Sequence, residues 1–131
     1  MIILDTGAVT ALARGHKTLN LLAAMARTPA DRLTIPAPCL MQAEAREQGL
    51  YPRMLAYSAV TVDDLGSTAA ATVGTMIRDG HGAPDTCHAL YCALPHAEFA
   101  GMSILLTDNE DAYPPGINAV DIDSPGMLGF S

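Results

Sequence analysis

Four acidic residues occupy positions at which carboxylates can work together in a chain of alternating strands and helices. Asp5 directly follows a short apolar run at residues 2–4, and Asp108 follows the apolar run at 104–106 after one intervening residue. Asp85 stands near the start of a predicted helix, where the helix dipole favours an anion, and Glu44 lies inside another. Ligands of open α/β sheets bind beyond the carboxyl ends of the strands. Asp5 and Asp108 therefore face one crevice if their strands are neighbours, whereas chain order alone does not bring Asp85 and Glu44 to them.

Carboxylates that share a pocket repel one another, and a bound cation relieves that repulsion. Oxygen ligands of this kind favour Mg²⁺ or Mn²⁺. Such an ion activates a water molecule and holds a phosphate oxygen, which is the chemistry of phosphodiester hydrolysis. Taken singly, Asp85 also fits a helix cap and Glu44 a solvated helix position. Their joint placement is what favours a metal site.

The composition is that of a folded domain with excess negative charge. The chain has 131 residues, of which 50% are hydrophobic and 16% charged, and its formal net charge is −7. That charge disfavours phosphate binding unless the carboxylates are concentrated where a cation binds. The first residues lack the basic start and long apolar stretch of a signal peptide, and no apolar run reaches the length of a membrane helix. We therefore expect a cytoplasmic protein with no membrane partner.

Strand and helix patterns alternate along the chain. Short apolar or β-branched runs predict strands at residues 2–4, 33–36, 59–62, 103–106 and 119–122. Helical spacing and turn signals predict helices at 8–14, 17–27, 39–48, 51–57, 65–78 and 84–94. This alternation predicts an α/β fold, a three-layer α/β/α sandwich with a central, mainly parallel sheet of four or five strands. We expect a single domain over residues 1–131, in which 123–131 form a loosely ordered tail.

Four segments in this order resemble the PIN-domain family, particularly the toxin ribonucleases of bacterial toxin–antitoxin pairs. They are the opening strand with Asp-Thr-Gly, the strand, loop and helix that carry Glu44, the Pro-Asp helix start, and the late strand that ends in Thr-Asp-Asn: residues 2–8, 35–44, 84–90 and 104–109. No single segment is specific, but together they cover essentially the whole chain. The resemblance implies a PIN-like fold.

The resemblance also implies an RNA substrate, cut by water with one or two Mg²⁺ or Mn²⁺ ions. It implies four catalytic acids, the first, third and fourth of them metal ligands: Asp5, Glu44, Asp85 and Asp108. Thr6 and Thr107 would orient carboxylates or a water by hydrogen bonds. Such proteins are often homodimers, and a small antitoxin protein often covers their active site.

Two positions stay open within that resemblance. In many members the fourth acid stands two residues after the Thr, where this chain has Asn109, so Asp108, Asn109 or Asp111 could supply the fourth ligand. Glu47 lies one turn after Glu44 on nearly the same helix face and is the alternative catalytic acid. We prefer Glu44 because of its distance from the preceding strand.

Basic and imidazole side chains complete the candidates. Arg14 and Lys17 follow the first turn, and we predict that they bind substrate at the mouth of the pocket. His88 lies three residues after Asp85 and could approach the same site, although a structural role is the simpler interpretation. One alternative function is a non-catalytic PIN-like module that binds RNA or protein through a degenerate acidic site. Another is a phosphoryl-accepting pocket of the response-regulator kind, which is disfavoured because no Lys follows a late strand.

Overall fold

Five short parallel strands form the centre of the protein. The structure is a computed structural model that describes residues 1–94, 103–125 and 127. The strands are β1 (Ile2–Leu4), β2 (Leu33–Pro36), β3 (Val60–Asp63), β4 (Ile104–Thr107) and β5 (Ala119–Asp121). They pair in the order β3-β2-β1-β4-β5, and every pairing is parallel. The α/β prediction is confirmed, with an all-parallel sheet of five strands flanked by helices, compatible with a three-layer α/β/α sandwich.

Pairs of α-helices follow β1, β2 and β3 in the chain and lie close to the predicted segments. They are α1 (Thr6–Ala13), α2 (Lys17–Met25), α3 (Ala37–Arg46), α4 (Leu50–Leu55), α5 (Ser67–Arg78) and α6 (Pro84–Ala93). The largest shift is in α3, which starts and ends two residues before the predicted 39–48. Pro38 stands in its first turn, where the missing N–H of proline costs nothing.

The strand order creates a switch point at the middle of the sheet. The chain adds β2 and β3 on one side of β1 and then crosses to the other side, where β4 pairs with β1 and β5 follows. Ile3, Leu4, Leu105 and Leu106 are fully or almost fully buried, as expected for central strands covered on both faces. The carboxyl ends of β1 and β4 therefore bound the crevice in which ligands of such folds bind.

The predicted tail is partly described. Met127 is buried in the core cluster, and the Asp123 carboxylate lies 2.9 Å from His16 Nε2. Met127 thus adds an apolar side chain to the core, and the exposed Asp123 contacts α2 through its N-cap His16. Residue 126 and residues 128–131 lie outside the described residues. Among the residues that are described, every helix is too short or too polar to span a bilayer.

Candidate active site

The carboxyl ends of β1 and β4 open into a cleft of about 150 Å³. Its lining is mostly polar and comes from the ends of both strands, from the starts of α1 and α6, and from α3: Asp5, Thr6, Gly7, Arg46, Asp85, Thr86, Thr107, Asp108, Asn109, Ala112 and Tyr113. The backbone N–H of Asp5 donates to the carbonyl oxygen of Leu106 at 3.2 Å, which fixes the two strand ends side by side. Asp5 and Asp108 thus share one crevice, as their strand positions suggest.

Asp5 is the most enclosed acid of the cleft, with 8% of its surface exposed. It is the N-cap of α1, and its Oδ1 accepts a hydrogen bond from the backbone N–H of Ala8 at 3.1 Å. Its Oδ2 accepts a hydrogen bond from the Tyr113 hydroxyl at 2.8 Å. The side chain is therefore held from both ends, by a helix start and by a residue 108 positions away.

Burial raises the pKa of the Asp5 carboxyl above its ordinary value. Hydrogen bonds from the side chains of Thr107 and Tyr113 and from the Ala8 backbone oppose that rise, whereas the nearby charge of Asp108 adds to it. A cation in the cleft would favour the ionised form of Asp5. A positive ion beside Asp5 would therefore lower the raised pKa of this carboxyl.

Asp85 reaches the cleft from the first turn of α6. Its Oδ2 accepts a 2.6 Å hydrogen bond from the Thr6 hydroxyl, the first residue of α1. The Cys39 thiol donates to the backbone carbonyl of Asp85 at 3.3 Å and ties this turn to α3. The N-termini of α1 and α6 therefore face one cleft, and both helix dipoles favour negative charge there.

Asp108 is exposed and lies directly over Gly7. A Cβ atom at position 7 would overlap the Asp108 carboxylate, so only glycine permits this approach. The next residue, Asn109, also lines the cleft, and its backbone N–H donates to Thr107 Oγ1 at 3.0 Å. Asp111 is exposed in the short 3₁₀-helix Glu110–Ala112, outside the lining. Asp108 and Asn109 are thus the better placed of the three candidates for the fourth ligand.

Glu44 points elsewhere, which corrects the expectation that it joins the acids. Its carboxylate accepts hydrogen bonds from the backbone N–H groups of Gly49, at 3.0 Å, and Tyr51, at 2.9 Å, at the start of α4. Both hydrogen bonds lower the pKa of Glu44, and the bond from Tyr51 has the larger effect. Arg46 lines the cleft instead, because residues two positions apart on a helix point to nearly opposite sides.

The alternative acid, Glu47, is also engaged away from the cleft. Its Oε1 accepts from Arg14 Nε at 3.2 Å, and its Oε2 lies 3.8 Å from an Arg53 nitrogen. Arg14 lines a second, adjacent cleft that shares Gly7, Arg46 and Asp108 with the acidic one. Lys17 is exposed at the start of α2, outside the lining of both clefts. Of the two predicted substrate-binding residues, only Arg14 is therefore near the acids.

The donors of the cleft suit Mg²⁺ or Mn²⁺, because they are carboxylate, amide and hydroxyl oxygens. The carboxylates of the cleft are spaced more widely than the ligands of a site that surrounds an ion with protein atoms alone. Within the described residues, the set of three side chains whose ligand atoms all lie within 4.8 Å of one another is Asp63, His88 and Cys92, not the acids of the cleft. Mg²⁺ tolerates such an arrangement, because it usually keeps several waters and takes one or two carboxylates.

Sequence reasoning did not include Tyr113 in the site and did not separate Arg46 from the other basic residues. Tyr113 follows the 3₁₀-helix Glu110–Ala112, a segment with no strand or helix periodicity that could indicate its direction. The side of α3 that faces the cleft depends on how that helix packs, which its sequence alone does not specify. His88, which we considered as a neighbour of Asp85, is buried and lies outside the cleft lining.

Comparison with known proteins adds no relative, because no family model matches this chain and no curated protein is significantly similar to it.

Proposed function

We propose that this chain is a ribonuclease that hydrolyses RNA phosphodiester bonds and depends on Mg²⁺ or Mn²⁺. The observation that carries the proposal is the convergence of Asp5, Asp85 and Asp108 on one cleft at the switch point between β1 and β4. Helix capping explains Asp5 in part, but it does not explain three acids from distant segments around one opening. The choice of RNA rests on the resemblance to the PIN-domain toxin ribonucleases.

Asp5, Asp85 and Asp108 would hold the ion, directly or through waters. When bound, it would lower the pKa of a coordinated water and withdraw charge from a phosphate oxygen. Tyr113 and the Ala8 N–H keep Asp5 aimed into the cleft, and Thr6 does the same for Asp85. In the net reaction the water oxygen bonds to phosphorus, one P–O ester bond breaks, and the leaving oxygen takes up a proton.

Arg46 supports a phosphate-bearing substrate. It is exposed at the rim, and the described residues offer it no ion-pair partner within 4.0 Å. Its guanidinium can pair with two oxygens of one phosphate. A cation at the rim of an acidic cleft therefore gives the RNA backbone a point of attachment in a chain of net charge −7.

An end-labelled single-stranded RNA tests the proposal, with the DNA of the same sequence beside it. We expect Mn²⁺ or Mg²⁺ to support cleavage of the RNA and EDTA to stop it. Asp5→Asn and Asp108→Asn should each lower the cleavage rate by about 100-fold or more, because loss of a metal ligand exceeds the effect of losing its supporting hydrogen bonds. Asp79→Asn, at an exposed acid after α5, is the matched control. Equal cleavage by Asp5→Asn and Asp79→Asn would refute the assignment.

The wide spacing of the acids in the cleft favours a second candidate function, that of a non-catalytic PIN-like binding module. Such a module would bind RNA or protein equally well with and without divalent ions, and Asp108→Asn would leave that binding intact. Calorimetry with Mn²⁺ separates the two candidates, since the ribonuclease requires a site that Asp5→Asn weakens.

The proposal extends to the partners that the resemblance implies, a second copy of this chain and a small antitoxin protein over the cleft. Light scattering during gel filtration tests the homodimer. Loss of cleavage on adding the candidate antitoxin, with recovery on its removal, tests the other partner.

A further inference from the structure

His88 is completely buried in the middle of α6, and neither of its ring nitrogens has a hydrogen-bond partner among the described residues. Its ring lies beside that of Tyr91 in a tilted arrangement, at a centroid distance of 6.4 Å. Buried polar groups are nearly always hydrogen-bonded, because an unpaired one loses its bonds to water and gains nothing in return. An imidazole in a protein interior whose two nitrogens are unpaired among the described residues thus calls for a partner that this part of the chain does not supply.

Two further metal-binding side chains lie beside this imidazole. Cys92 follows His88 by four residues on α6, so the two side chains share one face of the helix. Asp63 ends β3, and its Oδ2 lies 3.2 Å from Cys92 Sγ. One ligand atom from each of Asp63, His88 and Cys92 lies within 4.8 Å of the other two.

We propose that Asp63, His88 and Cys92 bind one Zn²⁺ ion. Zinc takes imidazole nitrogen, thiolate sulfur and carboxylate oxygen together, whereas Mg²⁺ and Ca²⁺ avoid thiolate. With zinc–ligand bonds of about 2.0–2.3 Å, tetrahedral geometry places sulfur and oxygen about 3.5 Å apart, close to the observed separation. The separations to the His88 nitrogen are within 4.8 Å, so each would shorten by at most about 1.5 Å to reach tetrahedral geometry.

The surroundings fit a three-residue site with a fourth position open to water. His88 and Cys92 are 0% and 3% exposed, so the ion would sit against the core on one side. Asp63 is exposed and leaves a path from solvent on the other. Cys92 binds as thiolate, and its proton passes to the solvent when the ion enters. A thiol that only donates to Asp63 would explain two of the three side chains but would leave His88 unpaired.

The zinc site is separate from the acidic cleft, whose lining includes none of its three ligands. It would connect the second half of α6 to the carboxyl end of β3, and α6 also carries Asp85 in its first turn. The ion would therefore fix the helix that presents one of the acids.

Cobalt(II) titration of the EDTA-treated full chain tests the site, because a cysteine thiolate bound to Co²⁺ gives a near-ultraviolet charge-transfer band that carboxylates do not give. We expect one Co²⁺ per chain with this band, displaced by Zn²⁺, and a higher melting temperature with Zn²⁺. Asp85→Asn should keep the band, which distinguishes this site from the acidic cleft.

Matched pairs of variants identify the ligands. Asp63→Asn and Cys92→Ala should weaken Co²⁺ binding by at least about 100-fold, above the effect usual for removing a ligand's supporting partner. Asp64→Asn, an exposed neighbour, and Cys87→Ala, a buried cysteine on the same helix, should bind Co²⁺ as the natural chain does. The proposal is overturned if the natural chain gives no thiolate band or if Asp63→Asn binds like Asp64→Asn. The aspartate pair decides the matter if loss of the buried Cys92 prevents folding.

Discussion

The Thr6 hydroxyl donates a 2.6 Å hydrogen bond to Asp85 Oδ2 across 79 positions of sequence. It joins the first turn of α1, whose N-cap is Asp5, to the first turn of α6, which carries Asp85, so both helix starts bring an acid to the cleft. The bond restrains the plane of the Asp85 carboxylate and leaves its other oxygen available to the proposed ion. Thr6 therefore acts on the proposed ion through Asp85, as a positioning residue.

Thr6→Val should lower Mn²⁺ affinity in the acidic cleft by about 10–100-fold, because valine keeps the shape of threonine and removes only its hydroxyl. Titration calorimetry measures the effect, and Thr6→Ser should restore the affinity, since serine keeps the donor. Thr10→Val is the control. Thr10 is also buried in α1, but its hydroxyl donates to the Thr6 carbonyl rather than to an acid. An unchanged affinity in Thr6→Val would show that Asp85 needs no such support.

Gly7→Ala should separate activity from stability. The added methyl would overlap the Asp108 carboxylate, and that exposed side chain can swing out of the cleft. Alanine in a helix is favoured over glycine by about 0.5–1 kcal/mol, which offsets part of the strain. We expect a stable protein whose RNA cleavage falls as far as that of Asp108→Asn.

Gly74→Ala is the control for the glycine prediction, since position 74 lies in α5 with open space around it. That variant should gain stability and keep its cleavage rate. Thermal melts and rates measured on the same samples of both variants check the prediction. Full activity in Gly7→Ala would mean that Asp108 need not lie over Gly7.

The sequence predicts the fold better than it predicts the direction of individual side chains. The strands predicted at 2–4 and 33–36 coincide with β1 and β2, and the other strands lie within about one residue of their predicted ends. Strands that are buried on both faces of a parallel sheet read as continuous apolar runs, which the sequence shows directly. The shared crevice of Asp5 and Asp108 is predicted only on the condition that their strands are neighbours, and the pairing of β1 with β4 meets that condition.

Helical positions were harder to predict, because the buried face of a helix depends on its packing. Helix α3 begins and ends two residues before the predicted range, and it is Arg46, not the predicted Glu44, that lines the cleft. The spacing of His88 and Cys92 by four residues was visible in the sequence. The third member of their cluster, Asp63, ends a different strand and could be added only in three dimensions.

Asp5→Asn should stabilise the metal-free protein at neutral pH. Burial raises the pKa of Asp5 in the folded state above its ordinary value of 3.8, so the folded chain holds this proton more tightly than the unfolded chain. As pH rises through that ordinary value towards the raised one, the ionised carboxylate in the cleft increasingly reduces the stability of the natural protein. Asparagine carries no charge and can still cap α1 through its carbonyl oxygen.

Melts in EDTA across acidic to neutral pH measure this difference. The variant's advantage should be present at pH values above the raised pKa and should vanish below about pH 3.8, where Asp5 is protonated in both states. Mn²⁺ should reverse the order at neutral pH by stabilising only the natural protein. A variant that is less stable than the natural protein at neutral pH in EDTA would contradict the prediction.

Arg46→Gln should weaken RNA binding, because Arg46 is the basic side chain at the rim of the acidic cleft and also lines the adjacent one. Loss of one phosphate contact reduces the slope of log affinity against log salt concentration by about 1. We expect KM to rise more than kcat falls, since the guanidinium binds the phosphate backbone and the carboxylates carry the chemistry. Glu44→Gln is the matched control on α3, because its carboxylate caps α4 and faces away from the cleft. Fluorescence anisotropy with a labelled RNA at several salt concentrations compares the two variants. A loss of affinity in Glu44→Gln but not in Arg46→Gln would mean that Glu44, and not Arg46, contributes to RNA binding.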